Sequence, residues 1–71
     1  MADRSTETVV GKLGRVITRV PGNDRAGEIT VQIRGGTETF LAYADEEIAA
    51  GASVLVIDTR GARSVDVARF G

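Results

Sequence analysis

Apolar and polar residues alternate along most of this chain, and the cleanest run is Gly27 to Ala42, GEITVQIRGGTETFLA. Ile29, Val31 and Ile33 alternate with Thr30, Gln32 and Arg34, the period-2 pattern of a strand with one buried face. Gly35-Gly36 can supply the positive φ angles of a tight hairpin, and Thr37 to Tyr43 resumes an extended, β-prone run. Phe40, Ala42 and Ala44 share one side of that second strand, and Leu41 and Tyr43 share the other. Both sides therefore carry apolar bulk.

The remaining segments extend the β reading. Val9 to Val20 predicts a long first strand, bent at Gly11 and Gly14, with Val16, Thr18 and Val20 on one side and Arg15, Ile17 and Arg19 on the other. Pro21 to Ala26 is turn chemistry, with Asn23, Asp24 and Arg25 in solvent. Asp45 to Ala50 predicts one or two helical turns, capped by Asp45, anchored by Ile48 and stopped at Gly51. Ala52 to Thr59 predicts a fourth strand. Its VLVI run reads as covered on both sides, Val54 and Val56 against Leu55 and Ile57. Arg60 to Ala62 predicts a turn, and Arg63 to Arg69 a fifth strand with Val65 and Val67 inward. Phe70-Gly71 is expected to fray or to cap the barrel base. Residues 1–8, polar and aperiodic, read as a disordered arm or a linker before a domain spanning 9–71.

Five short strands with one helical turn between the third and fourth predict an all-β fold, a five-stranded OB-fold Greek-key barrel. An SH3-like barrel is the competing architecture; the helical turn favours the OB arrangement. Closure suits so small a chain because it removes exposed strand edges.

Composition removes whole classes of chemistry. The 71 residues suffice for one small core. The chain has no cysteine and no histidine, so disulfides, thiolate sites, a Ser-His-Asp triad and the commonest general base are all excluded. Lys12 is the sole lysine, and Ser5, Ser53 and Ser64 lack a nucleophile-elbow context. The sequence around Lys12, GKLG, lacks the spacing of a phosphate loop. The Asp45, Glu46 and Glu47 carboxylates read as helix capping rather than a metal site. The expectation is a non-enzyme without catalytic, cofactor or metal residues. Nine basic and ten acidic residues leave a net charge of -1, which argues against a dedicated nucleic-acid binder. Eight of the nine bases are Arg, a bias read here as that of a GC-rich bacterial genome. No apolar run reaches the roughly 18 residues of a membrane span.

An ordered set of glycines and valines resembles the C-terminal soluble domain of NfeD-like proteins. It comprises Gly11 and Gly14, then Val16, Thr18 and Val20, then Pro21 and Gly27 with Ile29 and Val31. Gly35, Phe40 and Ala42 follow, then Ile48, Gly51, Val54 and Val56, and last Val65 and Val67. The resemblance implies an OB-fold domain without catalytic residues. It also implies membrane association through an upstream segment, a cytoplasmic location at the membrane face, and partnership with stomatin- or flotillin-like membrane proteins. The contact residues expected from apolar bulk on outer strand faces are Leu41, Tyr43, Leu55 and Ile57. The alternative is the common OB-fold role of binding single-stranded nucleic acid. It would need a basic groove with stacking aromatics, for which Arg15, Arg19 and Arg34 lie near Glu28 and Glu38.

Overall fold

The computed structural model describes residues 9–33 and 35–71. The arm or linker read at residues 1–8, and the side chain of Arg34, lie outside the described residues. Five strands form one closed barrel in the order β1-β2-β3-β5-β4. They are β1 Leu13–Thr18, β2 Gly27–Ile33, β3 Gly36–Tyr43, β4 Ser53–Gly61 and β5 Ser64–Arg69. All neighbours are antiparallel except β3 and β5, which run parallel. This is the OB arrangement, and β1 closes it by pairing with β2 on one edge and β4 on the other.

The interior is built by period-2 alternation. Val16, Ile29, Val31, Phe40, Ala42, Val54, Val56, Val65 and Val67 are buried, joined by Val9, Val20 and Ile48 from the connections. β2 and β3 pair without a break from Gly27↔Ala42 to Ile33↔Gly36. Gly35, just before β3, takes φ +70°. Gly36 is already strand.

Five expectations are corrected by the geometry, and two of them share one cause. β1 is six residues rather than a long bent strand, because Val9 to Lys12 enters through a turn closed by the Lys12 N–H on the Val9 carbonyl at 3.0 Å. Within β1, Val16 faces Ile29 and Thr18 faces Glu28, so Ile17 is the extra residue of a bulge. The bulge turns Thr18 outward, where its hydroxyl donates to Glu28 at 2.8 Å, instead of inward with Val16 and Val20. A second bulge falls in β4. Val56 faces Val67 and Asp58 faces Asp66, which leaves Ile57 as the extra residue. β4 then continues to Gly61, with a further shift that leaves Arg60 extra between Thr59↔Val65 and Gly61↔Ser64, so the turn shortens from Arg60–Ala62 to Ala62 and Arg63.

The helical turn expected at Asp45 to Ala50 is absent. Ile48 instead makes an antiparallel bridge with Val20, with N–H···O distances of 2.8 and 2.9 Å in the two directions. A buried isoleucine that finds backbone partners on another segment has no need of a local helix, and a single helical turn is a poor nucleus in any case. Phe70 does not cap the barrel base. Its N–H donates to the Ser53 carbonyl at 2.9 Å and its ring is exposed along the side of the barrel.

Two backbone positions limit the sequence. Gly27 opens β2 beneath the chain leaving β1. A Cβ there would lie 2.5 Å from the Arg19 carbonyl oxygen, 2.6 Å from that of Thr18 and 2.7 Å from the Val20 Cα. All three obstacles are backbone and cannot rotate away. At the β4–β5 hairpin, Ala62 and Arg63 both hold left-handed φ, 48° and 63°. Such two-residue turns favour Asn-Gly, and alanine there is strained. Arg63 is held by other contacts: its carbonyl accepts the Leu41 N–H at 2.9 Å, and its guanidinium bonds Glu38 at 2.9 Å across the barrel mouth.

Gly27→Ala is expected to destabilise the domain by about 2–3 kcal/mol, the upper range for overpacking. Thermal unfolding followed by far-ultraviolet circular dichroism should show Tm falling by more than about 8 °C. Ala62→Gly should act in the opposite direction, adding up to about 1 kcal/mol by relieving the left-handed strain. A Tm equal to or below that of the parent would contradict that account.

Candidate interaction surface

An open groove of about 580 Å³ lies where the β1–β2 loop, the end of β3 and the β4–β5 hairpin meet. The β4 bulge builds it. Val54 and Val56 point inward; after the extra residue Ile57 the phase inverts, so Asp58 and Arg60 point outward. A further register shift between Thr59 and Gly61 makes Arg60 itself an extra residue of β4. Asp58 sits opposite Asp66 on β5, a like-charge pair that is unfavourable unless neutralised. Arg60 neutralises it: its Nε donates to Asp66 at 2.8 Å, and a terminal nitrogen lies 3.5 Å from Asp24 of the β1–β2 loop. The hydrogen bond to Asp66, with Asp24 adding to it, holds the Arg60 guanidinium above its ordinary pKa. Asp58 accepts the Thr59 N–H at 2.7 Å.

The same guanidinium lies over the Tyr43 ring, 3.9 Å from its centroid. This is a cation–π contact, and it covers the face of the chain's one tyrosine. Asp24 reaches the groove because Asn23 and Asp24 take left-handed φ of 52° and 65°, in a turn closed by the Arg25 N–H on the Gly22 carbonyl at 3.1 Å. Asn and Asp tolerate that conformation better than other non-glycine residues.

The four residues singled out from the sequence separate into three places. Tyr43 and Ile57 line the groove together. Tyr43 is half-buried under Arg60, while Ile57 is 52% exposed. Leu41, 43% exposed, lies on the far side of β5 between Glu28 and Ser64. Leu55 is half-buried between Leu13 of β1 and Ala68 of β5. The expectation that β4 is covered on both sides is therefore corrected. A closed barrel has one interior, and Val54 and Val56 occupy it. Arg60, Asp58 and Asp66 were not expected in a site. The sequence offers a signal for them in the polar DTR run that prolongs the VLVI strand, which could have been read as continued pairing with the fifth strand.

The outer face of β2 and β3, where OB folds place single-stranded nucleic acid, carries threonines. Its rows are Arg15–Thr30–Thr39 and Gln32–Thr37, with Glu28–Leu41 beside them. Arg15 is the base of this face among the described residues. Phe40 is sealed in the core. Glu38 is not on this face but at the barrel mouth with Arg63, whose guanidinium lies 5.6 Å from the Phe40 ring centroid. Arg19 pairs with Glu47 at 2.6 Å. Among the described residues, no group of three or more acidic side chains is arranged to hold a metal ion, and no helix is long and apolar enough to cross a membrane.

Comparison with known proteins agrees with this architecture. The soluble domain of the NfeD protein YuaF from Bacillus subtilis has a solution structure that superposes with a TM-score of 0.77 at 34% identity, over 96% of this chain and 80% of that one. The C-terminal domain of stomatin operon partner protein 1510-C from Pyrococcus horikoshii superposes with a TM-score of 0.70 at 26% identity, over 93% of this chain and 94% of that one. No curated protein matches the chain. Residues 13–68 match the NfeD C-terminal domain, from the first residue of β1 to the penultimate residue of β5. That match covers the whole barrel, and the chain belongs to the NfeD C-terminal domain family.

Proposed function

We propose that this domain is a non-catalytic protein-interaction module, the soluble part of a membrane-associated protein that works with a stomatin- or flotillin-like partner at the cytoplasmic face of the membrane. The observation that carries the reading is Ile57, a large aliphatic side chain half in solvent beside a groove, on a barrel whose core is already complete. Exposed apolar side chains at a concave, polar-rimmed surface are the usual mark of a contact site. Tyr43 and Ile57 line the groove together, and Leu41, exposed on the far side of β5, is a separate contact candidate. The partner class is supported by the family and by the name of the Pyrococcus horikoshii relative, a stomatin operon partner protein. The absence of histidine and cysteine supports a role in binding rather than chemistry.

Binding of the soluble core of a stomatin-like protein from the same organism, measured by titration calorimetry, tests this. Ile57→Asp should weaken the complex about tenfold or more if Ile57 is an anchor, and Leu41→Asp should weaken it less. Wild-type protein that does not bind, or an Ile57→Asp variant that binds equally well, would remove the proposal. Arg60→Ala should uncover the Tyr43 ring. With no tryptophan present, acrylamide quenching of tyrosine fluorescence reads this directly, and quenching should increase.

A further inference from the structure

A second outer surface, on β1, β4 and β5, carries chemistry of the opposite sign to the groove. Its cross-strand rows follow from the register. Leu13 faces Leu55, and Leu55 faces Ala68. In the adjacent row Arg15 faces Ser53, and the Phe70 N–H on the Ser53 carbonyl brings Phe70 alongside. Leu13 is 51% exposed and Phe70 50%. These two side chains project at opposite edges of the strip, with Leu55 and Ala68 between them.

Charge on this surface is of one sign. Arg15 lies within the strip, Lys12 lies just before Leu13 at the start of β1, and Arg69, in register with Val54, flanks the strip from the barrel end between Ala68 and Phe70; all three are exposed. None of the three is in an ion pair among the described residues, whereas Arg19, Arg60 and Arg63 each hold a carboxylate. The two rows contain no side-chain carboxylate. Four carboxylates (Asp24, Asp45, Asp58 and Asp66) line the groove instead. A chain of net charge -1 thus separates its charge, with free bases gathered around its apolar strip.

We propose that this strip is a docking surface for an anionic phospholipid headgroup layer, distinct from the partner groove. A closed barrel offers no open strand edge along this face for a peptide to extend. Single apolar tips set among cationic side chains suit a lipid interface. Leu13 and Phe70 enter the boundary between headgroups and acyl chains, while Lys12, Arg15 and Arg69 stay at the level of the phosphates. The buried area is small, so binding by this face alone is weak, reversible and screened by salt.

Co-sedimentation of the 71-residue chain with vesicles is the test. Vesicles of phosphatidylcholine alone should not retain the protein, and vesicles also containing phosphatidylglycerol should, with retention lost as salt is raised. Arg15→Ser and Arg69→Ser should each lower the partition coefficient about five-fold, from the usual contribution of one base near an anionic surface. Phe70→Ser should lower it as well. Arg25→Ser, an exposed base in the β1–β2 loop, should leave it unchanged. No retention on the anionic vesicles overturns the proposal, as does an equal loss in the Arg25 variant. If the Arg15 and Phe70 variants lose the stomatin-like partner while wild-type protein ignores vesicles, the strip is a protein interface and the lipid assignment is wrong. An Ile57→Asp variant that keeps vesicle binding but loses the partner would show the two surfaces to be separate.

Discussion

Everything in this domain depends on one six-residue strand being hydrogen-bonded along both edges. β1 pairs with β2 through Gly14↔Val31 and its neighbours, and with β4 through Leu13↔Leu55 to Arg15↔Ser53. Such double use converts a curled sheet into a barrel and leaves no edge strand to aggregate. It also forces close approaches that only glycine permits. A Cβ at Gly14 would lie 2.8 Å from the Thr30 carbonyl oxygen, and one at Gly27 would collide with the backbone of Thr18 to Val20. The chain has no disulfide or histidine ligand to hold it together. Barrel closure and a core made largely of valine therefore carry the stability of a domain close to the lower size limit.

Inserted residues in β1 and β4 turn that frame into surfaces with different chemistry. The bulge at Ile17 sends Thr18 out to Glu28, and the bulge at Ile57 sends Asp58 and Arg60 out to the groove. The second insertion matters more for function. It leaves an isoleucine uncovered, sets two aspartates opposite each other and supplies the arginine that reconciles them while covering Tyr43. Bulges of this kind often re-aim side chains next to functional sites. On the other side of the barrel the register stays regular, and the outward set is Leu13, Leu55 and Ala68 with bases around it. One chain thus presents an acidic concave surface and a basic apolar one. This separation is invisible in a net charge of -1.

The β2–β3 hairpin was legible because its alternation runs unbroken from Ile29 to Ala42 and both strands keep one phase. The inward valines of β4 and β5 were legible for the same reason. Thr18 was misplaced because it follows a bulge, and Arg60, read as the start of a turn, because it is an extra residue of a strand that continues to Gly61. A period-2 reading has no means of placing an extra residue whose position is decided by the partner strand. The turn at Asp45 to Ala50 was misread because its helix signals are local, whereas Ile48 is held by Val20, 28 positions earlier in the sequence. Of the candidate contact residues, the outward direction of Leu41, Tyr43, Leu55 and Ile57 could be read from alternation. Which of them share a surface could not.

By itself, then, the sequence determined an all-β barrel of five short strands, its buried set, and the absence of histidine and cysteine chemistry. These follow from periodicity and composition, which belong to the chain alone. Tertiary structure decided the rest: the parallel β3–β5 pairing, the register shifts in β1 and β4, the Arg60 clamp on Tyr43 and the division of charge between two faces. Each of these depends on which residues from distant parts of the chain become neighbours, and barrel closure sets that through hydrogen bonds between strands.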